Sequence, residues 1–135
     1  MYIFTEITNP PNTLASDPLH TIIPLSAGLL TGFDISFPEG CYRLARLQIF
    51  YHGRILVPFN LAGSLGYNNI TLQIPMNYRI DTAPFDLDII TWNLDDTFSH
   101  TLNVGVNIDY ETLPELNPQI ALTTPMPGDY LERKL

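Results

Sequence analysis

Cysteine, basic charge and long apolar runs are all scarce in this chain. One cysteine, Cys41, stands alone among 135 residues. No disulfide can therefore close within the chain, and nothing points to an extracellular disulfide scaffold. Cys41 follows Gly40 at a turn, without a histidine or asparagine placed to activate it, and reads as a buried structural thiol. Six basic residues face fourteen acidic ones, for a net charge of −8. That balance repels phosphate backbones and anionic bilayers, so neither nucleic acid nor a membrane is an expected partner. No run reaches the ~18 apolar residues that a spanning helix needs. The start, Met1-Tyr-Ile-Phe-Thr-Glu, lacks the basic residues and apolar core of a signal peptide. Charged residues amount to 15%, against about 25% in ordinary domains. Either part of the surface is covered by another subunit, or a β-sandwich carries Thr, Asn and Ser on its exposed faces.

What the chain does have is alternation. From Thr101 to Tyr110 every even position is apolar and nearly every odd one polar. A period of two sends one row of side chains into a core and the other into solvent, the signature of a half-buried strand. The same pattern recurs at Leu19–Ile23, at Leu29–Phe37, in Arg43–Tyr51 with Ala45, Leu47, Ile49 and Tyr51 on one face, and at Arg54–Pro58. It returns at Ile70–Met76, where Pro75 marks a sheet edge, and in Phe85–Trp92. In the second of these strands Leu29, Thr31, Phe33, Ile35 and Phe37 are expected to share a face. Proline, glycine and β-branched residues are too dense for helices. Seven to eight short antiparallel strands predict an all-β, two-sheet sandwich or jelly roll over residues 18–110.

Both ends look different. Residues 1–17 join a short β-like run to the stiff Asn9-Pro-Pro-Asn12 segment and read as an N-terminal arm. Residues 111–135 combine four prolines with Leu113, Leu116, Ile120, Leu122, Met126 and Tyr130. That is too apolar for a solvated tail, and suggests a C-terminal arm that orders on a partner. Tyr2, Phe4 and those six residues are the candidate partner contacts.

Catalytic patterns are weak. Asp95, Asp96 and His100 lie close together, but adjacent acids diverge in an extended chain, and a turn capped by Asp side chains is the simpler reading. A weak calcium site there is the alternative. His20, His52 and His100 have no metal-ligand spacing. Asp86 and Asp88 share a strand face about 7 Å apart, without the cleft a glycosidase pair requires. No serine sits in a nucleophile elbow, and Gly63-Ser-Leu-Gly66 is too short for a phosphate cradle. Arg43, Arg46 and Arg54 could make a local positive face toward an acidic neighbour, or be ordinary solvated arginines. Trp92, Tyr67 and Tyr78, with Tyr51, could form a sugar platform, although such aromatics more often serve a core or interface. No catalytic residue, cofactor or metal is assigned.

Two stretches carry a resemblance. Ile23-Pro-Leu-Ser-Ala-Gly28 leading through a strand to Phe37-Pro-Glu-Gly-Cys41, and the later Trp92-Asn-Leu-Asp-Asp-Thr-Phe-Ser-His100, together resemble signatures of a β-sandwich domain encoded among tailed-phage-like viruses. The likeness spans roughly residues 22–108 and implies a small, non-enzymatic virion component. A capsid decoration or auxiliary protein is expected, binding the major capsid protein or another shell subunit, assembled in the host cytoplasm as a homo-oligomer, with a trimer the expected state. A carbohydrate- or receptor-binding module is the alternative.

Overall fold

A computed structural model describes residues 1–58 and 63–110. These form eight strands and, among the described residues, no helix: β1 (Tyr2–Asn9), β2 (Leu19–Ile23), β3 (Gly28–Phe37), β4 (Ala45–Tyr51), β5 (Arg54–Val57), β6 (Ile70–Ile80), β7 (Leu87–Asn93) and β8 (His100–Tyr110). Each strand of the first half pairs antiparallel with its mirror in the second: β1 with β8, β2 with β7, β3 with β6 and β4 with β5. The chain is thus one long two-stranded ribbon, bent so that β8 also pairs with β3, and β7 with β4. Rolling the ribbon gives two four-stranded sheets, β1-β8-β3-β6 and β2-β7-β4-β5. This is the jelly-roll order, an all-β sandwich of the predicted class.

Alternation decides which face turns inward. Leu102, Val104, Val106 and Ile108 of β8 are buried, as are Ala45, Leu47, Ile49 and Tyr51 of β4. Phe33, Ile35 and Phe37 of β3, which lies beside β8 in the first sheet, join the same core between the sheets. Along β3 the pairing with both neighbours shifts between Leu30 and Gly32. That bulge corrects the expected face: Leu30 is buried with Phe33, while Leu29 and Thr31 turn away. Gly32 permits it, since a Cβ there would stand 3.0 Å from the Ile74 carbonyl oxygen. The edge predicted from Pro75 is where β6 lies.

The N-terminal segment departs from the arm reading. Tyr2 to Asn9 pair with Asn107 to His100 in unbroken register. Met1 adds two more bonds, its ammonium to the Ile108 carbonyl (2.9 Å) and its carbonyl from the Ile108 amide (3.0 Å). Ile7 and Asn9 are buried on the inner face, so alternation recruits this run as an outer strand, and a strand beside β8 satisfies backbone groups that would otherwise face solvent. The linker is also docked: the Asn12 amide bonds the Asp95 carbonyl (2.8 Å), and Thr13 bridges Asn93. The expected C-terminal arm, with Leu113, Leu116, Ile120, Leu122, Met126 and Tyr130, lies outside the described residues.

Candidate functional site

Strands alternate in direction, so the connections after β1, β3, β5 and β7 all emerge at one end of the sandwich. Hydrogen bonds tie these loops to one another. The Leu94 amide bonds the Leu44 carbonyl (2.8 Å), and the Asn69 amide bonds the Pro38 carbonyl (3.3 Å). The Asn68 side-chain oxygen accepts from the Gly40 and Tyr42 amides (2.9 and 3.1 Å). Two segments more than fifty positions apart, Glu39–Leu44 and Asp95–His100, thereby line one cleft of about 460 Å³.

Its floor is polar and held rigidly. Asp95 Oδ1 accepts from the Thr97 amide (2.9 Å) and the Phe98 amide (3.3 Å), while Oδ2 accepts from His100 Nε2 (2.8 Å). The Thr97 amide first, and the His100 ring next, hold the Asp95 carboxyl below its ordinary value. This is the capped turn that adjacent Asp residues predict, with His100 recruited as its second clamp. Cys41 is buried beneath, its thiol pushed up by burial and secondarily by the Asp95 charge. A raised, buried thiol is a poor nucleophile.

Below the floor, Asn9, Thr91 and Asn93 are completely buried. Thr91 Oγ1 donates to Asn9 Oδ1 (2.5 Å), and Asn93 Nδ2 donates to the Asn9 and Phe98 carbonyls (3.1 and 2.9 Å). Asn93 Oδ1 accepts from the Asp95 amide (3.0 Å). The network joins β1 of one sheet to β7 of the other and fixes the turn that carries Phe98.

The rim is apolar. Tyr42 is 67% exposed, Phe98 65% and Leu94 48%. Leu14, exposed as well, adjoins through the Thr13–Asn93 bridge. Tyr42 and Arg43 occupy the centre of a tight turn closed by the Leu44 amide on the Cys41 carbonyl (2.8 Å), both at positive φ (44° and 66°). Neither residue type favours that conformation, which costs on the order of 1–3 kcal/mol per residue and is typical of functional loops.

The residues singled out from sequence are scattered. Tyr2 and Phe4 stand exposed on the outer face of the first sheet, the Tyr2 ring lying across Gly105 and its hydroxyl bonded to Asp34. Tyr78 packs edge-on against buried Tyr51, ring centroids 5.9 Å apart, between the sheets. Trp92 sits on the outer face of β7 opposite Arg46, and Tyr67 packs against Phe37 in the loop before β6. The three-aromatic platform is therefore divided, with Tyr78 on the core side. Arg43 and Arg46 share a pocket with Ser64, Gly66 and Tyr67, whereas Arg54 lies at the opposite end beside the β4–β5 turn. His20 meets Asp88 at 3.0 Å on an exposed strand, whereas His52 sits in the β4–β5 turn and His100 opens β8 against Asp95. Among the described residues no three His, Cys, Asp or Glu side chains gather as a metal site. Nothing in the local sequence marks Tyr42 and Phe98 as exposed: Phe98 lies inside the Trp92–His100 motif, and Tyr42 directly follows the Phe37–Cys41 one. Family models, curated proteins and solved structures give no match to this chain.

Proposed function

We propose that this protein is non-enzymatic and structural, and that its jelly-roll body docks through the apolar rim of its loop end onto a neighbouring subunit of a particle shell. A virion decoration or auxiliary role is the specific form of this reading. The observation that carries it is the convergence of two distant sequence signatures on one cleft whose aromatic rim faces solvent. Burying Tyr42 and Phe98 against a partner would return roughly 1.5–3 kcal/mol each. The hydrogen-bonded floor has already ordered their loops, so little further entropy is lost on contact. Clustered aromatic anchors on a rigid mount are the usual source of interface affinity. The jelly roll itself serves capsids, lectins and enzymes alike, so the fold supports the reading without deciding it.

The test is a Tyr42→Ser/Phe98→Ser double variant, introduced where purified particles can be counted by mass spectrometry. The wild-type chain should be present in many copies, and the variant depleted at least tenfold while melting within a few degrees of wild type. Equal incorporation of the variant would remove the rim from the interface. Absence of the wild-type chain from particles would end the virion reading. The glycan-binding alternative is weaker because Tyr78 is committed to the core side of β6.

A further inference from the structure

Beside the apolar cleft lies a second, smaller pocket of about 140 Å³, lined by Arg43, Arg46, Ser64, Gly66 and Tyr67. We propose that it binds a single carboxylate, and that its source is an acidic side chain of the docked partner. Two arginines converge here in a chain that holds only five. Fourteen acids are available in the sequence, yet among the described residues neither arginine has a carboxylate within ion-pair distance. Two cationic residues lining one pocket without a counter-charge favour an anion there.

The pocket is built to orient what it holds. Arg46 Nε donates to the Arg43 carbonyl (2.6 Å) and Nη1 to Ser64 Oγ (3.2 Å). A guanidinium has five N–H donors in a planar fork, so these two bonds fix the fork and leave the other donors without a partner among the described residues. Gly66 lies directly beneath the Arg46 side chain, where any Cβ would collide with it. The Tyr67 ring is braced edge-on by Phe37 at 5.9 Å. Arg43 lines the pocket from its left-handed turn, and its side chain makes no hydrogen bond among the described residues.

Size and charge select the ligand. Small-molecule sites usually measure about 300–1,000 Å³; this one admits a carboxylate and a few carbons. A fork plus a second arginine matches the planar, two-oxygen geometry of a carboxylate. A phosphate dianion would meet roughly twice the repulsion from a protein of net charge −8. The source in a partner rests on the docking reading above, because Arg43 adjoins Tyr42 on the rim. The affinity for carboxylate does not rest on it.

The experiment is an NMR titration of the full chain at constant ionic strength. The probes are N-acetylglutamate α-amide, its glutamine analogue, inorganic phosphate and chloride. Expected is a saturable shift at the Arg46 Nε–H and at the Gly66 and Tyr67 amides with the glutamate probe and none with glutamine. Arg43→Gln, which removes no internal hydrogen bond of the described residues, should weaken binding at least about tenfold. Arg46→Lys should weaken it similarly, because charge without the fork does not suffice. Shifts that follow chloride, or an unchanged midpoint in Arg43→Gln, overturn the pocket. Tighter binding of phosphate than of the glutamate probe overturns the carboxylate assignment. Failure here leaves the Tyr42/Phe98 result untouched, so the two proposals fail separately.

Discussion

Truncating Asn93 should damage this protein more than removing most surface side chains, and the size of the effect follows from what it holds. Its amide group is completely buried and makes three hydrogen bonds, to the Asn9 carbonyl, the Phe98 carbonyl and the Asp95 amide. Asn93→Ala strands the buried Asn9 carbonyl and takes the partner from the Phe98 carbonyl and the Asp95 amide, which are only partly buried and can turn to water. Each lost bond is worth about 1 kcal/mol net, and each stranded buried group about 1–3 kcal/mol. The expected loss is about 3–5 kcal/mol, a large share of the ~5–15 kcal/mol that holds a domain together. In a domain of this size that lowers the melting temperature by roughly 12–20 °C. Asn93→Asp should be at least as harmful, since it turns a carboxylate oxygen toward two carbonyl oxygens. Thr91→Val is the calibrating control: it keeps the shape and loses one bond, to Asn9 Oδ1, for about 1–2 kcal/mol. Urea unfolding of the full chain, followed by Trp92 fluorescence, gives the comparison at constant denaturant slope. If Asn93→Ala costs no more than Thr91→Val, the network does not bridge the sheets and the rigid floor beneath the cleft is lost as an argument.

Three further outcomes follow from the same geometry. Asp95 is favoured as its anion in the fold, so its contribution to stability is present above the ordinary carboxylate pKa and disappears as pH falls through the lower native value; urea midpoints measured across acid pH should therefore decline less steeply in Asp95→Asn than in wild type. Cys41 is buried with a raised pKa, so iodoacetamide should modify it at least about a hundredfold more slowly in the native protein than in urea, and comparable rates would show the β3–β4 loop to be open. Gly28→Ala places a Cβ 2.5 Å from the Asp109 carbonyl oxygen and should cost about 2–3 kcal/mol, whereas Gly53→Ala, at φ +73° in open space, should cost about 1 kcal/mol; thermal melts that reverse this order would refute the packing around β8.

The eight strands were largely legible because burial imposes a period of two; β4 and β7 keep it without interruption, and β8 keeps it but for Gly105, which the Tyr2 ring covers. Where the period breaks, the reading broke with it. Gly32 looks like one more outward residue in an alternating run, yet it is the bulge that moves Leu30 to the inside. A bulge inserts one residue and leaves both halves of the pattern intact, so only pairing with β6 and β8 reveals it. The N-terminal run was recognisably β-like, but the prolines at 10 and 11 suggested separation from the body. In the fold they serve as the crossing between sheets, a role that depends on Asn12 and Thr13 meeting the β7–β8 turn. The capped turn at Asp95 was legible because Asp acts on amides two and three residues away. The shared cleft and the Arg43–Arg46 pocket were not. Their members come from loops far apart in sequence, and a local pattern holds no information about which loops meet.

That meeting is itself a consequence of the ribbon. When a chain folds as one long hairpin and then rolls, every second connection is delivered to the same end. The two ends therefore receive independent sets of residues, and here they have been used differently. At the end that carries the β4–β5 turn, polar groups satisfy one another: the Tyr51 hydroxyl donates to the Thr82 carbonyl (2.6 Å), and the His52 ring meets the Thr82 and Pro84 carbonyls (3.0 and 2.7 Å). At the opposite end Tyr42, Leu94 and Phe98 face water, and Arg43 faces none of the chain's own acids among the described residues. The strained turn at Tyr42 and Arg43 belongs to this second end as well. Packing of the body does not need it, since Gly or Asn at either position would relax the backbone. On the docking reading, these two left-handed side chains are kept, where glycine would fold more easily, for what they present outward. One turn supplies both Tyr42 to the apolar rim and Arg43 to the carboxylate pocket, so Tyr42→Gly and Arg43→Gly should each stabilise the isolated protein while weakening its contact with a partner. Destabilisation by both would mean instead that the turn serves the fold.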